Sequence, residues 1–187
     1  MNKFVFMIEE RSMEIALKKI LPEFLPDDSI IIIPHEGKQD LERSIPKKLR
    51  AWKDRPEIKY NFVILRDQDC GDCREIKNNI KELCNANGRP ETLIRIVVHE
   101  LESWFLGDLN AIDAAFDTNY AKNRNKRKFR NPDSISNPSQ EIKKMIKNYS
   151  KLNGARKISA HLNISENSSK SFNVFISGLR KIISQEN

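Results

Sequence analysis

Cysteine is scarce. Cys70, Cys73 and Cys84 are the whole complement of the 187-residue chain. An odd and small number suits a reducing, cytoplasmic setting rather than a disulfide framework. Cys70-x-x-Cys73 is half of a zinc pattern, but completing it would need Cys84 together with His35, His99 or His161. Long apolar runs are missing too. None approaches the roughly 18 residues of a membrane span, and the apolar stretch at residues 4–8 is too short for a secretory signal. There is no glycine-rich phosphate loop, which leaves phosphate transfer on a small molecule unsupported. No internal repeat or low-complexity segment stands out. What is present is a polar but foldable composition, 39% apolar and 32% charged, of a length that predicts one sizeable core.

The formal charge of +7 hides an asymmetry. Residues 1–118 hold 18 Lys and Arg against 22 Asp and Glu, a balance of −4, while residues 119–187 hold 15 against 4, a balance of +11. An acidic part joined to a basic part fits a metal-holding domain, 1–118, beside a polyanion-binding segment, 119–187. A solvated surface with a basic tail would give the same counts.

Periodicity predicts four strands alternating with helices. The strands fall at residues 4–8, 29–33, 62–65 and 93–98, all short apolar runs of the kind buried in parallel sheets. Helices are expected over 12–24, 39–53 (with Pro46 a potential break), 72–85 and 111–116. This order predicts an α/β fold with an open, mostly parallel four-stranded sheet and helices on both faces. Beyond it, residues 119–130 read as a mobile loop, followed by helices over 139–149, 155–162 and 171–183. Residues 156–165 look faintly like a helix-turn-helix, although plain packing is the commoner use of such a pair.

The third strand ends in Asp67-Gln-Asp69, with Asp72 close behind. Carboxylates this close repel unless solvated or sharing a cation, and the carboxyl ends of parallel strands are where such sheets bind ligands. Two alternating aspartates there could give oxygen ligands to Mg²⁺ or Mn²⁺; the competing reading is a polar strand-to-helix loop in which Asp72 caps the next helix. Glu9 and Glu10 follow the first strand, and Glu100 and Glu102 follow the fourth. Acidic side chains also favour helix starts for the sake of the helix dipole, but in a parallel sheet all these strand ends share one rim. Lys38 follows the second strand. The dense basic run of Lys122, Arg124, Lys126, Arg127, Lys128 and Arg130 is suited to tracking phosphates.

A strand ending in Glu and another ending in Asp-x-Asp resemble the Toprim fold of topoisomerases, primases and overcoming-lysogenization-defect nucleases. More closely, the chain resembles the small Toprim-like family DUF4276. The likeness is carried by Ile8-Glu9, Gly37-Lys38, Asp67-x-Asp69, the run from His99 through Glu100, Glu102 and Trp104 to Asp108, and the run from Asn167 to Leu179. Toprim proteins often have Gly after the catalytic Glu; here Glu10 stands there, which leaves open which glutamate faces the metal. The resemblance implies Mg²⁺-dependent phosphodiester chemistry and a bacterial anti-phage defence setting beside an ABC- or SMC-like ATPase.

Two functions are therefore expected to compete. One is a nuclease acting on DNA or RNA, with Glu9, Asp67 and Asp69 as metal ligands, Glu100 or Glu102 as a second-metal ligand or general base, and Lys38 neutralising phosphate charge. The other is a non-catalytic module that binds nucleic acid or the ATPase and carries a degenerate site. Trp104 and Phe105 are expected in the core rather than stacked on bases.

Overall fold

The computed structural model describes residues 1–185. In chain order the main elements are β1 (Asn2–Ile8), α1 (Arg11–Ile20), β2 (Ile30–Pro34), α2 (Lys38–Ala51), β3 (Lys59–Asp67), α3 (Cys73–Ala86), β4 (Leu93–Val97), α4 (Glu102–Leu106), α5 (Leu109–Phe116), α6 (Arg127–Arg130), α7 (Pro138–Met145), α8 (Lys151–Ile158) and α9 (Lys170–Ser184), with short 3₁₀ turns between some of them. The sheet has the order β2-β1-β3-β4. Every pairing in it is parallel: Phe4 faces Ile30, Val5 faces Phe62, and Ile64 faces Ile94. An α/β fold of this kind is consistent with a Toprim-like arrangement, and it puts the ends of β1, β3 and β4 side by side.

The side-chain alternation of the central strands divides the core in two. Phe4, Phe6 and Ile8 of β1, with Val63 and Leu65 of β3, point to one face. Val5 and Met7, with Phe62 and Ile64, point to the other. On the second face α2 and α3 supply Leu41, Ile45, Leu49, Ile80 and Cys84. On the first face α1 supplies Met13, Ala16, Leu17 and Ile20, and every helix from α4 to α9 adds to the same cluster. Burial of this order, worth about 1.5–3 kcal/mol for each large side chain, holds residues 129–179 to the sheet.

Several elements differ from their expected extents. α2 runs through Pro46 without ending, because Leu41, Ile45 and Leu49 keep one continuous buried face across it. β3 extends past its apolar run to Asp67; Arg66 and Asp67 are both buried, so the change of residue type does not mark the strand's end. β2, four isoleucines followed by Pro34, is only half-buried, because it is an edge strand.

The C-terminal part also departs from expectation. Residues 119–130, expected as a loop, contain two short helical turns. Ala121–Asn123 form a 3₁₀ turn and Arg127–Arg130 a helical turn, and Phe129 is buried in the first core cluster. Tyr120 anchors the other end, its hydroxyl donating to the Met145 carbonyl at 2.9 Å. The helix-turn-helix likeness fails too. α8 buries Ala155 and Ile158, Leu162 follows it into the core, and no helix occurs from 159 to 169 to act as a recognition helix.

Candidate functional site at the carboxyl rim of the sheet

The strand ends gather the acidic residues. Glu9 follows β1, and its Oε2 accepts the backbone N–H of Asp67 at the end of β3 at 3.1 Å. Glu10 points elsewhere: its Oε1 accepts the Ser12 hydroxyl and lies 3.6 Å from the Lys151 ammonium. The two glutamates are thus distinguished by their partners, and Glu9 is the one beside Asp67. The loops after β3 and β4 are joined by backbone bonds, Gln68 N–H to the Val97 carbonyl at 2.8 Å and Asp69 N–H to the His99 carbonyl at 3.0 Å. Both Asp69 and His99 are left-handed, with φ of 53° and 58°. That conformation is costly for non-glycine residues and tends to cluster at functional sites.

Asp67 is 4% exposed, and its Oδ1 is a buried oxygen with no hydrogen-bond partner. Burial, and then the neighbouring Glu9 charge, hold its carboxyl well above the ordinary carboxylate range. Glu9 is raised in the same way, first by burial and then by Asp69. Asp69 lies nearer solvent, and Lys38 donates to its Oδ2 at 3.0 Å. That hydrogen bond raises the lysine's pKa. Asp72 is the helix cap, accepting from the N–H groups of Arg74 and Glu75 at 2.8 and 2.9 Å.

On the other side of β3, Glu100 and Glu102 have protein partners. Glu100 Oε2 accepts the backbone N–H of Ser139 at 2.9 Å. Glu102 is 1% exposed; its Oε1 accepts the Tyr149 hydroxyl at 3.0 Å, while its Oε2 is buried without a partner. Burial raises the Glu102 pKa, and burial together with the Glu102 charge raises that of Tyr149. Lys151 reaches into this half from the first turn of α8, 3.6 Å from both Glu10 Oε1 and Glu100 Oε1. Burial alone would lower its pKa, but the fields of Glu102, Glu10 and Glu100 outweigh that and raise it. Neither Tyr149 nor Lys151 was singled out as a site residue from the sequence. Tyr149 reads as one more apolar position of a helix, and Lys151 as one lysine in a basic half.

The donors suit a hard cation. They are carboxylate oxygens, and the unpartnered Asp67 Oδ1 is the atom a cation would satisfy. Among the described residues, no three His, Cys, Asp or Glu side chains are drawn round one point closely enough to hold an ion. The cysteines are free, Cys70 exposed and Cys84 buried, and they form no zinc site with the histidines. His35 is a core residue, bonded to the Ile8 carbonyl at 2.9 Å and the Ser44 hydroxyl at 2.5 Å.

The segment from Glu102 to Asp108 has a structural role. Trp104 is fully buried, stacked on Phe175 with centroids 5.3 Å apart, and donates from Nε1 to Ser171 Oγ at 3.0 Å. Asn167 donates to the Trp104 carbonyl at 2.8 Å and packs against Gly107 so closely that a Cβ there would meet its Oδ1 at 2.1 Å. Asp108 accepts the N–H groups of Ala111 and Asn163 at 3.1 and 2.7 Å. The two motif runs that lie far apart in sequence therefore clamp one another.

A family model described as "Domain of unknown function (DUF4276)" matches residues 8–180. The chain belongs to this family. No curated protein and no solved structure matches it. The match takes in both the acidic rim and the clamp, so the DUF4276 domain includes the C-terminal helices as well as the sheet.

Of the six basic residues expected to contact phosphates, Lys128 is already engaged, 2.5 Å from Glu141. Among the described residues no carboxylate forms an ion pair with Lys122, Arg124, Lys126, Arg127 or Arg130. Arg124 and Arg130 line one concavity of about 380 Å³ with Asn110 and Ser168. No helix among the described residues is long and apolar enough to cross a membrane.

Proposed function

We propose that this DUF4276 protein is a cytoplasmic, metal-dependent nuclease that hydrolyses phosphodiester bonds in DNA or RNA as an effector of bacterial anti-phage defence, beside an ABC- or SMC-like ATPase. The observation that carries the reading is the buried, unpartnered Oδ1 of Asp67 within a rim of carboxylates from the ends of β1, β3 and β4. Glu9, Asp67 and Asp69 would hold Mg²⁺ or Mn²⁺, which when bound would activate water and stabilise the leaving oxygen. Lys38, half exposed beside Asp69, is placed to take up a phosphate's negative charge. Lys122, Arg124, Lys126, Arg127 and Arg130 would orient the backbone of the nucleic acid. The defence setting and the ATPase rest on the family resemblance. The free thiols favour a reducing compartment.

A second reading, a non-catalytic module for nucleic acid or the ATPase, is favoured by one fact: Glu9, Asp69, Glu10, Glu100 and Glu102 each have a protein partner. Incubation with plasmid, single-stranded DNA and tRNA across a Mg²⁺ and Mn²⁺ series separates the two. Chelator-sensitive cleavage that falls by several orders of magnitude in Asp67→Ala and Asp69→Ala supports the nuclease. Binding without cleavage under every condition supports the module.

A further inference from the structure

Six carboxylates line this rim, but its two halves are neutralised differently. β1 and β4 flank β3 in the sheet. Lys151 bridges across the end of β3, its ammonium 3.6 Å from Glu10 behind β1 and 3.6 Å from Glu100 behind β4. Of the other oxygens of that half, Glu100 Oε2 is taken by the Ser139 N–H at 2.9 Å and Glu102 Oε1 by Tyr149 at 3.0 Å, while Glu102 Oε2 is buried without a hydrogen-bond partner, in the field of the Lys151 ammonium. Lys151 is carried by α8, which is packed into the core through Gly154, Ala155 and Ile158. Gly154 has no side chain because Tyr149 occupies that space; a Cβ there would meet the Tyr149 ring at 2.2 Å. One packed unit therefore delivers both the Tyr149 hydroxyl and the Lys151 ammonium. The other half has no such delivery, and Lys38 reaches it from the exposed start of α2.

We propose that Lys151 is the built-in cation of the Glu10–Glu100–Glu102 half, standing where a second divalent ion would sit, so that the rim takes one divalent ion, at Glu9, Asp67 and Asp69, and not two. The proposal rests on the metal-dependent reading above. Its physical basis is that a divalent ion cannot settle beside an ammonium a few ångströms away without displacing it: Lys38, at the half-exposed start of α2, can swing clear of Asp69, whereas Lys151 is held by a helix packed into the core. Removing that ammonium would leave Glu10 and Glu100 as uncompensated neighbours, which is itself a cation site.

The test is the number of Mn²⁺ ions bound by the full chain, titrated with Mn²⁺ alone and read from the free-ion electron paramagnetic resonance signal. Wild type is expected to bind one ion, Lys151→Met two, and Lys151→Arg, which keeps the charge, one. Asp67→Asn should lose the first ion. Two ions on the wild type, or one on a folded Lys151→Met, would overturn the proposal while leaving the metal-dependent reading intact. No ion on the wild type would sink both. Should Lys151→Met fail to fold, the wild-type count alone still decides between one ion and two.

Discussion

Glu9 and Asp67 are joined by a backbone N–H donated to a carboxylate at 3.1 Å, and the Asp67 side chain beside that bond is buried with one oxygen unpaired. Two acidic side chains are thus held together at the ends of adjacent strands, and burial outweighs the fields of Arg66 on Glu9 and of Lys151 on Asp67. Such an arrangement stabilises the neutral forms of both, and it stores a cost in the metal-free protein whenever both are ionised.

That cost predicts the pH dependence of stability. Asp67, Glu9 and Glu102 have raised pKa values in the folded chain, chiefly through burial. A raised carboxyl pKa means that the folded state binds more protons, so its contribution is fully present below the unfolded value, near pH 4, and is lost as pH rises through the higher folded values. Urea melts of metal-free protein should show this contribution declining from about pH 4 toward neutrality. Asp67→Asn should flatten the decline and, at pH 7, raise stability by about 1 kcal/mol, which is roughly 2–4 °C for a chain of this size. A steeper decline in the variant would contradict the assignment.

The strands were readable from sequence because parallel strands buried on both faces are continuous apolar runs, as residues 4–8 and 62–65 are. The rim followed from them, since Glu9 stands directly behind such a run and Asp67 and Glu100 follow theirs closely. What sequence could not supply is which distant side chain returns to the rim. Tyr149 and Lys151 are 82 and 84 positions beyond Asp67; local spacing carries no trace of that pairing. Nor could residue type reveal that Glu102 turns inward, because glutamate is almost never fully buried without a partner, and its partner is Tyr149. The reading of 119–130 as a loop counted the six basic residues and gave too little weight to Phe129, the anchor that orders it.

Tyr149 should matter for stability whatever the protein's activity. Its hydroxyl is the hydrogen-bond donor to Glu102 within the core. Tyr149→Phe leaves both Glu102 oxygens unpaired, at a cost of about 1–3 kcal/mol. Glu102→Gln, which carries no charge, should largely remove the penalty, so the double variant should be more stable than Tyr149→Phe alone. A double-mutant cycle by urea denaturation checks this. Additive effects would show that the two groups are not coupled.

Lys38 and Asp69 form a half-exposed pair at 3.0 Å. Pairs of this kind contribute about 0–1 kcal/mol, so Lys38→Met should shift the urea midpoint little. Under the proposed function the same change should lower cleavage by about 10–100-fold, since it removes a positive charge from the place where phosphate charge develops. Single-turnover rates with saturating metal would measure it. A large stability loss with unchanged cleavage would assign Lys38 to the fold instead.

The basic stretch should divide into two classes. Arg124, Lys126, Arg127 and Arg130 face no carboxylate partner among the described residues, whereas Lys128 is held 2.5 Å from the largely buried Glu141. Each lysine or arginine that neutralises a phosphate contributes about 0.9 to the slope of log affinity against log salt for duplex DNA and about 0.7 for single strands. The double variant Lys126→Ala with Arg127→Ala should therefore flatten that slope by up to about 1.8 on duplex and leave the melting temperature close to wild type. Lys128→Ala should do the reverse, leaving the slope nearly unchanged and lowering stability, because it strips a partner from Glu141. Filter binding or anisotropy across a salt series, with a thermal melt of each variant, reads both quantities. An unchanged slope in the double variant would remove this stretch from the nucleic-acid interface and point to a protein partner for its charge.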